Sequence, residues 1–489
     1  MLFNSFTFAI FLPIVFLLYW FVFNRNLRLQ NLFIVIASYI FYSWWDWRFL
    51  FLITFISLCS FSAGLLMQHI SNKEVGSSSW IKPKTVSIAN IVVNLCVLGI
   101  FKYYHFFVDN FVAAFASVGI HLQPTTLQII LPVGISFYTF HALSYSIDVY
   151  KKRVPATKDI IGFFAFIGFF PLLVAGPIER ATHLLPQMFR KRTFDNNLAV
   201  DGLRQILWGL FKKMVVADNC ASVVNEIFSN HTNYSGSTLV IGMIFFAFQL
   251  YCDFSGYSDI AIGVGKLFGF NLLRNFDYPY FATSFAEYWR RNHISMTQWF
   301  MDYVYYPLIG DSTKLWYWNF CMIITFLLSG LWHGSGWTFI VWGLYQGVFI
   351  VISMNTQKSR KRVEKKYHLK DSRIYAIFRM ILTFSIVCVG LIFFRAKSIA
   401  QAWSYFGGIF TSSFFSTPHI KDVTLKTLVF TIIFIVMFMT IEWRNREKQH
   451  GLQVDNTKSP VVRWALYFAL IAIIWAFEGQ KEQFIYFQF

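Results

Sequence analysis

Three stretches of this sequence place proton-handling or charged groups inside apolar runs. In "SGLWHGSGWTFIVWG", residues 329–343, His333 is the single ionisable side chain, and no Lys, Arg, Asp or Glu stands between Lys314 and Lys358. A neutral imidazole in an apolar pocket can take the proton of a hydroxyl near neutral pH, which is general-base work. Gly330, Gly334 and Gly336 remove bulk around it, so that a backbone or a substrate can approach closely. Trp332, Trp337 and Trp342 add flat apolar walls. A bland reading stands beside this one. If residues 316–354 form a symmetric hairpin, "WHGSGW" falls at its midpoint and serves as a turn in an interfacial aromatic belt.

The second stretch is "FAEYWRRNHISMTQWF". At helical spacing Trp289, His293, Thr297 and Phe300 share a face. Arg290 and Arg291 turn toward another face, where a guanidinium fork suits phosphate groups of lipid or ligand. A surface helix with snorkelling arginines explains the same pattern without a ligand. His293 and His333 could also be two metal ligands, but no third ligand lies at helical spacing from either, so no metal is expected. The third stretch is "LYCDFSGYSDIAIGVGKLFGF". Asp253 and Tyr257 are candidate substrate contacts or part of a proton or cation path. Asp259, six positions after Asp253, lies on a different helix face. Gly256, Gly263, Gly265 and Gly269 allow tight helix crossing, which favours a structural role for the carboxylates instead.

The elements that position these groups are transmembrane. The chain has 489 residues, of which 56% are hydrophobic and only 13% charged, about half the charge of a typical soluble domain. Many windows reach the length and apolarity of a membrane-spanning helix. Continuous apolar runs, rather than short alternating segments, exclude a β-barrel. The net charge of +18 reflects Lys and Arg gathered between apolar runs, with no nucleic-acid-binding fold to accompany it. The longest basic stretch, "KSRKRVEKKYHLK", reads as a polar loop facing anionic headgroups of membrane lipid. The six cysteines are scattered without a CxxC pair and read as small buried hydrophobes.

The expected fold is an all-α polytopic membrane protein in one domain, residues 1–489, with about eleven transmembrane helices. The first five spans are residues 3–23, 29–45, 49–67, 86–107 and 127–147. The first is a retained span and not a signal peptide, since it lacks a basic n-region and a small-residue cleavage site. Arg25 and Arg28 follow the first span, Lys73, Lys82 and Lys84 the third, and Lys151, Lys152 and Arg153 the fifth. Odd spans thus end on the basic side, which places the N-terminus outside the cytoplasm. Residues 160–178 are apolar, contain Pro171, Gly176 and Pro177, and are basic at both ends. They read as a broken re-entrant segment or as a proline-kinked span. Residues 203–218 read as a basic interfacial helix, 237–269 as a long helix, and 285–303 as a second amphipathic segment. Residues 316–354 can hold two spans, and 374–394, 425–441 and 461–477 complete the set. Residues 355–372 are the one sizeable polar break.

Taken together, "GISFYTFHALSYSIDVY", "FFPLLVAGPIER", "DFSGYSDIAIG", "YWRRNHIS", "YVYYPL" and "SGLWHGSGWTFIVWG" resemble, in this order, the membrane-bound O-acyltransferase family. Within it they are similar to the branch that O-acetylates alginate, other exopolysaccharides and peptidoglycan. The resemblance runs from the N-terminus to the closing "FIYFQF". It implies tilted helices around a central tunnel, with the catalytic histidine at His333 in "WHG" and a second polar site residue at His293. Trp332 and Asn292 flank these two, and Asn292 stands where alginate-type members often carry a tryptophan. His141 and Leu172 also depart from the residues common in the family. The implied chemistry is transfer of an acyl group, acetyl first among them, from a cytoplasmic thioester such as acetyl-CoA. The group crosses the inner membrane of a bacterium to a hydroxyl on the far side, where an extracytoplasmic hydrolase-like partner and polysaccharide machinery complete the reaction. No tightly bound cofactor is implied. A secondary transporter or flippase would instead show inverted internal repeats with paired broken helices. One broken segment and no repeat are found, which favours the acyltransferase.

Overall fold

A computed structural model describes residues 1–73, 82–123, 129–421, 423–454 and 459–487. Among these residues the regular structure is entirely helical. Among the described residues eight helices are long and apolar enough to cross a membrane, the first Phe49–Asn72 and the last Pro460–Phe477. Two shorter apolar helices, Phe6–Val22 and Leu27–Ser43, match the first two expected spans. Many of their large apolar side chains point outward, Phe6, Ile374, Val461 and Trp475 among them, as lipid-facing positions require. Length, composition and outward apolar faces make this a multi-pass integral membrane protein.

The fifth expected span is shorter than its hydropathy suggests. Residues 127 and 128 lie outside the described residues, and the helix itself is Ile135–Tyr150. It starts at Gly134, whose φ is +72° and whose missing side chain leaves room for the carbonyl oxygen of Leu173. Neither condition admits another residue at low cost.

The chain forms two compact units. The first comprises Met1–Leu203 and Ala261–Leu273, the second Arg204–Ile260 and Arg274–Phe489. In the first unit, residues 160–178 break into the short helices Ile160–Ile167 and Phe170–Leu173, followed by extended chain. Gly168 ends one and Pro171 opens the other. This is not a continuous kinked span. Phe163, Phe166, Phe169 and Phe170 are buried, so the interrupted backbone is shielded by protein, the condition under which it survives in a membrane protein.

The second unit holds the hairpin Leu315–His333 and Trp337–Asn355. Three glycines let its two helices touch along the backbone. A side-chain carbon on Gly330 would strike the carbonyl oxygen of Phe339 and lie 2.9 Å from the Cα of Gly343, and one on Gly347 would lie 2.9 Å from the Cα of Ile323. Backbone cannot yield as a flexible side chain can. Gly330→Ala is therefore expected to destabilise the fold by about 1–3 kcal/mol through overpacking. Thermal melting of the detergent-solubilised protein checks this, with Ser329→Ala as the milder comparison.

Two sequence expectations change here. Residues 203–218 are not an interfacial helix. The helix Asn196–Leu210 passes into a π-helical turn, Phe211–Ala217, where Lys212 and Lys213 are 2% and 1% exposed. Their partners are acidic side chains, not headgroups: Lys212 pairs with Asp259 at 2.5 Å, and Lys213 with both Asp218 and Asp253 at 2.8 Å. Gly209 and Gly256 make this possible, because either would meet the other's carbonyl oxygen if it carried a side chain. The polar break at 355–372 is also partly helical, with the exposed basic helix Gln357–Lys366.

Candidate active site

His333 is the last residue of the helix Leu315–His333, and Gly334 to Gly336 form the turn before Trp337. The hairpin reading of "WHGSGW" is thus correct in topology. The turn nevertheless faces inward at His333, which is 3% exposed, whereas Trp337 is 55% exposed. The His333 ring sits among Trp332 at 4.8 Å, Trp342 at 4.9 Å, Phe394 at 5.4 Å and Tyr486 at 5.5 Å between ring centroids.

His293 reaches the same place from a different element, and not from a helical face. The expected helix 285–303 is interrupted, with Phe285–Arg291 and Ile294–Phe300 separated at Asn292 and His293. His293 itself has φ +46° and ψ +52°, the left-handed region that costs a non-glycine residue roughly 1–2 kcal/mol. Hydrogen bonds from Ile294 N to Asn275 O at 2.8 Å and from Ser295 Oγ to Asn275 Oδ1 at 2.8 Å hold this turn. The strain has a product: the imidazole turns inward, with its centroid 6.5 Å from that of His333 and 5.8 Å from that of Trp332.

The same asparagine sets the tautomer. Ser295 N can only donate, so the Asn275 atom that it meets is the oxygen. His293 Nδ1 lies 3.0 Å from that oxygen and must carry its proton toward it. This leaves the lone pair on Nε2, which is buried without a hydrogen-bond partner among the described residues. A lone pair held in an apolar pocket by a second residue is the arrangement of an oriented proton acceptor. Phe254, edge-on to His293 at 4.5 Å, closes the wall behind it. No cluster of three His, Cys, Asp or Glu side chains fit to hold a metal occurs among the described residues.

The remaining predicted site residues divide. Trp332 packs against both imidazoles, its ring forming a triangle with theirs. Asn292 ends the helix Phe285–Arg291, its N–H bonded to Tyr288 O. Arg291 is committed to Glu287 at 2.9 Å and to the carbonyl of Asp277. Arg290 is exposed and lines a cavity of about 550 Å³ together with Lys358 and Arg360. Trp289 and Phe326 form part of its apolar wall. Trp289 stands 6.0 Å from Trp342, which in turn packs on His333. Asp253 and Tyr257 are engaged within the protein. Asp253 is paired with Lys213 and accepts the N–H of Ile485 at 2.8 Å, and Tyr257 packs on Phe484 at 4.6 Å. Asn275, Phe254, Phe394 and Tyr486 were missed. A small polar residue some distance from the histidine it orients carries no periodic signal, and the closing aromatic run gives no hint of where it folds.

Residues 36–394 match the MBOAT, membrane-bound O-acyltransferase family. The chain is 35% identical to a probable alginate O-acetylase of Pseudomonas aeruginosa over 91% of its own length and 82% of the relative's. It is 31% identical to a peptidoglycan O-acetyltransferase of Helicobacter pylori, covering 100% of this chain and 98% of that one. A teichoic acid D-alanyltransferase of Bacillus subtilis is 28% identical over 54% of this chain and 69% of its own. The chain belongs to the membrane-bound O-acyltransferase family and is an integral-membrane O-acyltransferase.

Proposed function

We propose that this protein transfers an acyl group, acetyl in the first instance, from a cytoplasmic thioester to a hydroxyl destined for an extracellular or cell-wall polysaccharide, with His333 and His293 as the reacting pair. The observation that carries the reading is the convergence of two buried imidazoles from separate elements, one of them in a fixed tautomer. The identity to an alginate O-acetylase and a peptidoglycan O-acetyltransferase supports the acceptor class. The acceptor oxygen attacks the thioester carbonyl, its proton passes to His333, the carbon–sulfur bond breaks, and the proton leaves with the thiolate. His293 orients the donor carbonyl or shares that proton. Trp332, against both rings, and Asn292, at the turn, fix their spacing. Burial strengthens each of these polar interactions relative to water.

The cavity bearing Arg290, Lys358 and Arg360 is the proposed entry for the donor. Its apolar lining suits an acyl chain and its three cationic side chains suit phosphate groups of a donor such as acetyl-CoA. The positive charges around the first five spans support a bacterial inner-membrane orientation with the N-terminus outside. The acceptor would then meet the acyl group on the far side, where a hydrolase-like partner completes transfer.

Purified protein given acetyl-CoA, the extracytoplasmic partner and a polysaccharide acceptor is expected to release thiol and form ester in equal amounts. Thiol release at the wild-type rate from His333→Ala would overturn the reading. Arg290→Glu is expected to raise the KM for the donor about tenfold, with kcat little changed, as loss of a charge-assisted contact made equally in ground and transition states implies. A donor KM unaltered by this charge reversal would remove Arg290 from the donor site.

A further inference from the structure

The chain after Phe477 has no helix until the single turn at residues 485–487, yet residues 478–486 are held along their length by side chains and backbone of the second unit. Gly479 N donates to Met214 O at 2.9 Å, and a side chain on Gly479 would lie 2.7 Å from the backbone of Asp218. Lys213 Nζ donates to Glu482 O at 3.2 Å, Asn225 Nδ2 to Glu482 Oε1 at 3.2 Å, and Ile485 N to Asp253 Oδ2 at 2.8 Å. Taking a lysine and its carboxylates out of water carries a desolvation penalty that their mutual attraction offsets only with good geometry and further hydrogen bonds. Here those further hydrogen bonds go to one target, the backbone of the C-terminal segment.

That segment ends against the histidines. Phe484 packs 4.6 Å from Tyr257, and Tyr486 packs 4.6 Å from Phe254 and 5.5 Å from His333. Phe254 in turn covers His293 at 4.5 Å. One continuous aromatic wall therefore touches both imidazoles, and half of it is delivered by the strap. We infer that residues 478–486 are a strap, locked by the buried Lys213–Asp253 pair, that walls the histidine pair against water and fixes its spacing. Lys213, Asp253 and Ile485 are positioning residues. The inference rests on the reading of His293 and His333 as the acyl-transfer pair. Its chemical purpose is selectivity. With the wall open, water attacks the thioester carbonyl in place of the acceptor hydroxyl, the carbon–sulfur bond breaks, and free acid and thiol leave without ester.

Truncating Asp253 leaves Lys213 short of a buried partner and can unfold the protein, so the deciding variant is Ile485→Pro. It removes the N–H that reaches Asp253, at the first residue of a helical turn where proline is tolerated, and it also trims the buried Ile485 side chain, for which Ile485→Val is the control. Full-length protein in detergent is treated with diethyl pyrocarbonate, and carbethoxylation of His293 and His333 is mapped by mass spectrometry. In parallel, O-acetyl ester on cell-envelope polysaccharide is measured per amount of protein. Ile485→Pro is expected to speed modification of both histidines at least fivefold and lower ester at least tenfold, while the protein still melts cooperatively at a modestly lower temperature. Ile485→Val, which keeps the N–H, leaves both at the wild-type level. Histidine reactivity that stays at the wild-type level in Ile485→Pro overturns the strap. Normal ester in His333→Ala, with faster modification in Ile485→Pro, would instead overturn the catalytic reading and leave the strap as a structural wall.

Discussion

Replacing His333 with alanine is expected to lower O-acetyl ester on envelope polysaccharide by about 10²–10⁴-fold, the range that a positioned general base contributes. In barrier terms this is about 3–5 kcal/mol. The expectation follows from where the ring lies. It is the only ionisable side chain of its stretch, 3% exposed, and enclosed by Trp332, Trp342, Phe394 and Tyr486. A histidine kept for packing alone in such a cage would be replaceable by a large apolar residue. The comparison is therefore His333→Phe, which refills the aromatic volume without a basic nitrogen. Equal loss of ester in the alanine and phenylalanine variants, at matched protein levels, separates loss of the base from loss of packing. Normal ester in either one removes His333 from the chemistry.

The second large effect belongs to His293, and its backbone supplies an unusually clean variant. A φ of +46° is tolerated better by asparagine than by most residues. His293→Asn thus keeps the turn at little extra strain while it removes the imidazole. Ester is expected to fall about 10–10²-fold, less than for His333, because His293 orients or shares rather than takes the whole proton. Asn275→Leu, which removes the acceptor that fixes the His293 tautomer, is expected to reproduce much of that loss with both imidazoles still present. Ester formation by the purified variants at saturating donor checks both. An Asn275→Leu enzyme of full activity would show that the tautomer does not matter.

Much of the fold was legible because its signal is continuous. Long apolar runs such as 237–269, 374–394 and 461–477 each became one helix. The site was legible in part. His333 and its glycines stood out by contrast with an uncharged run, and they lie at the hairpin turn that the spacing predicted, with the histidine buried. What could not be read has a common physical origin. Helical spacing placed His293 on a face with Trp289, whereas a left-handed residue breaks the helix there, and hydropathy carries no information about φ. The alternation around Lys212 and Lys213 looks the same whether a basic face meets headgroups or buried carboxylates. The spacing of Asp253 and Asp259 against two adjacent lysines was the available hint. Asn275, eighteen residues before His293, and Tyr486, far along the chain from His333, are partners that only the folded backbone brings together.

The claim that His293 and His333 form one reacting centre is tested most directly by a double-mutant comparison of acyl transfer from acetyl-CoA by purified protein. Residues that act as a unit are strongly non-additive. His293→Asn combined with His333→Ala is predicted to retain the same residual rate as His333→Ala alone. A double variant whose loss is the product of the two single losses would contradict the shared centre.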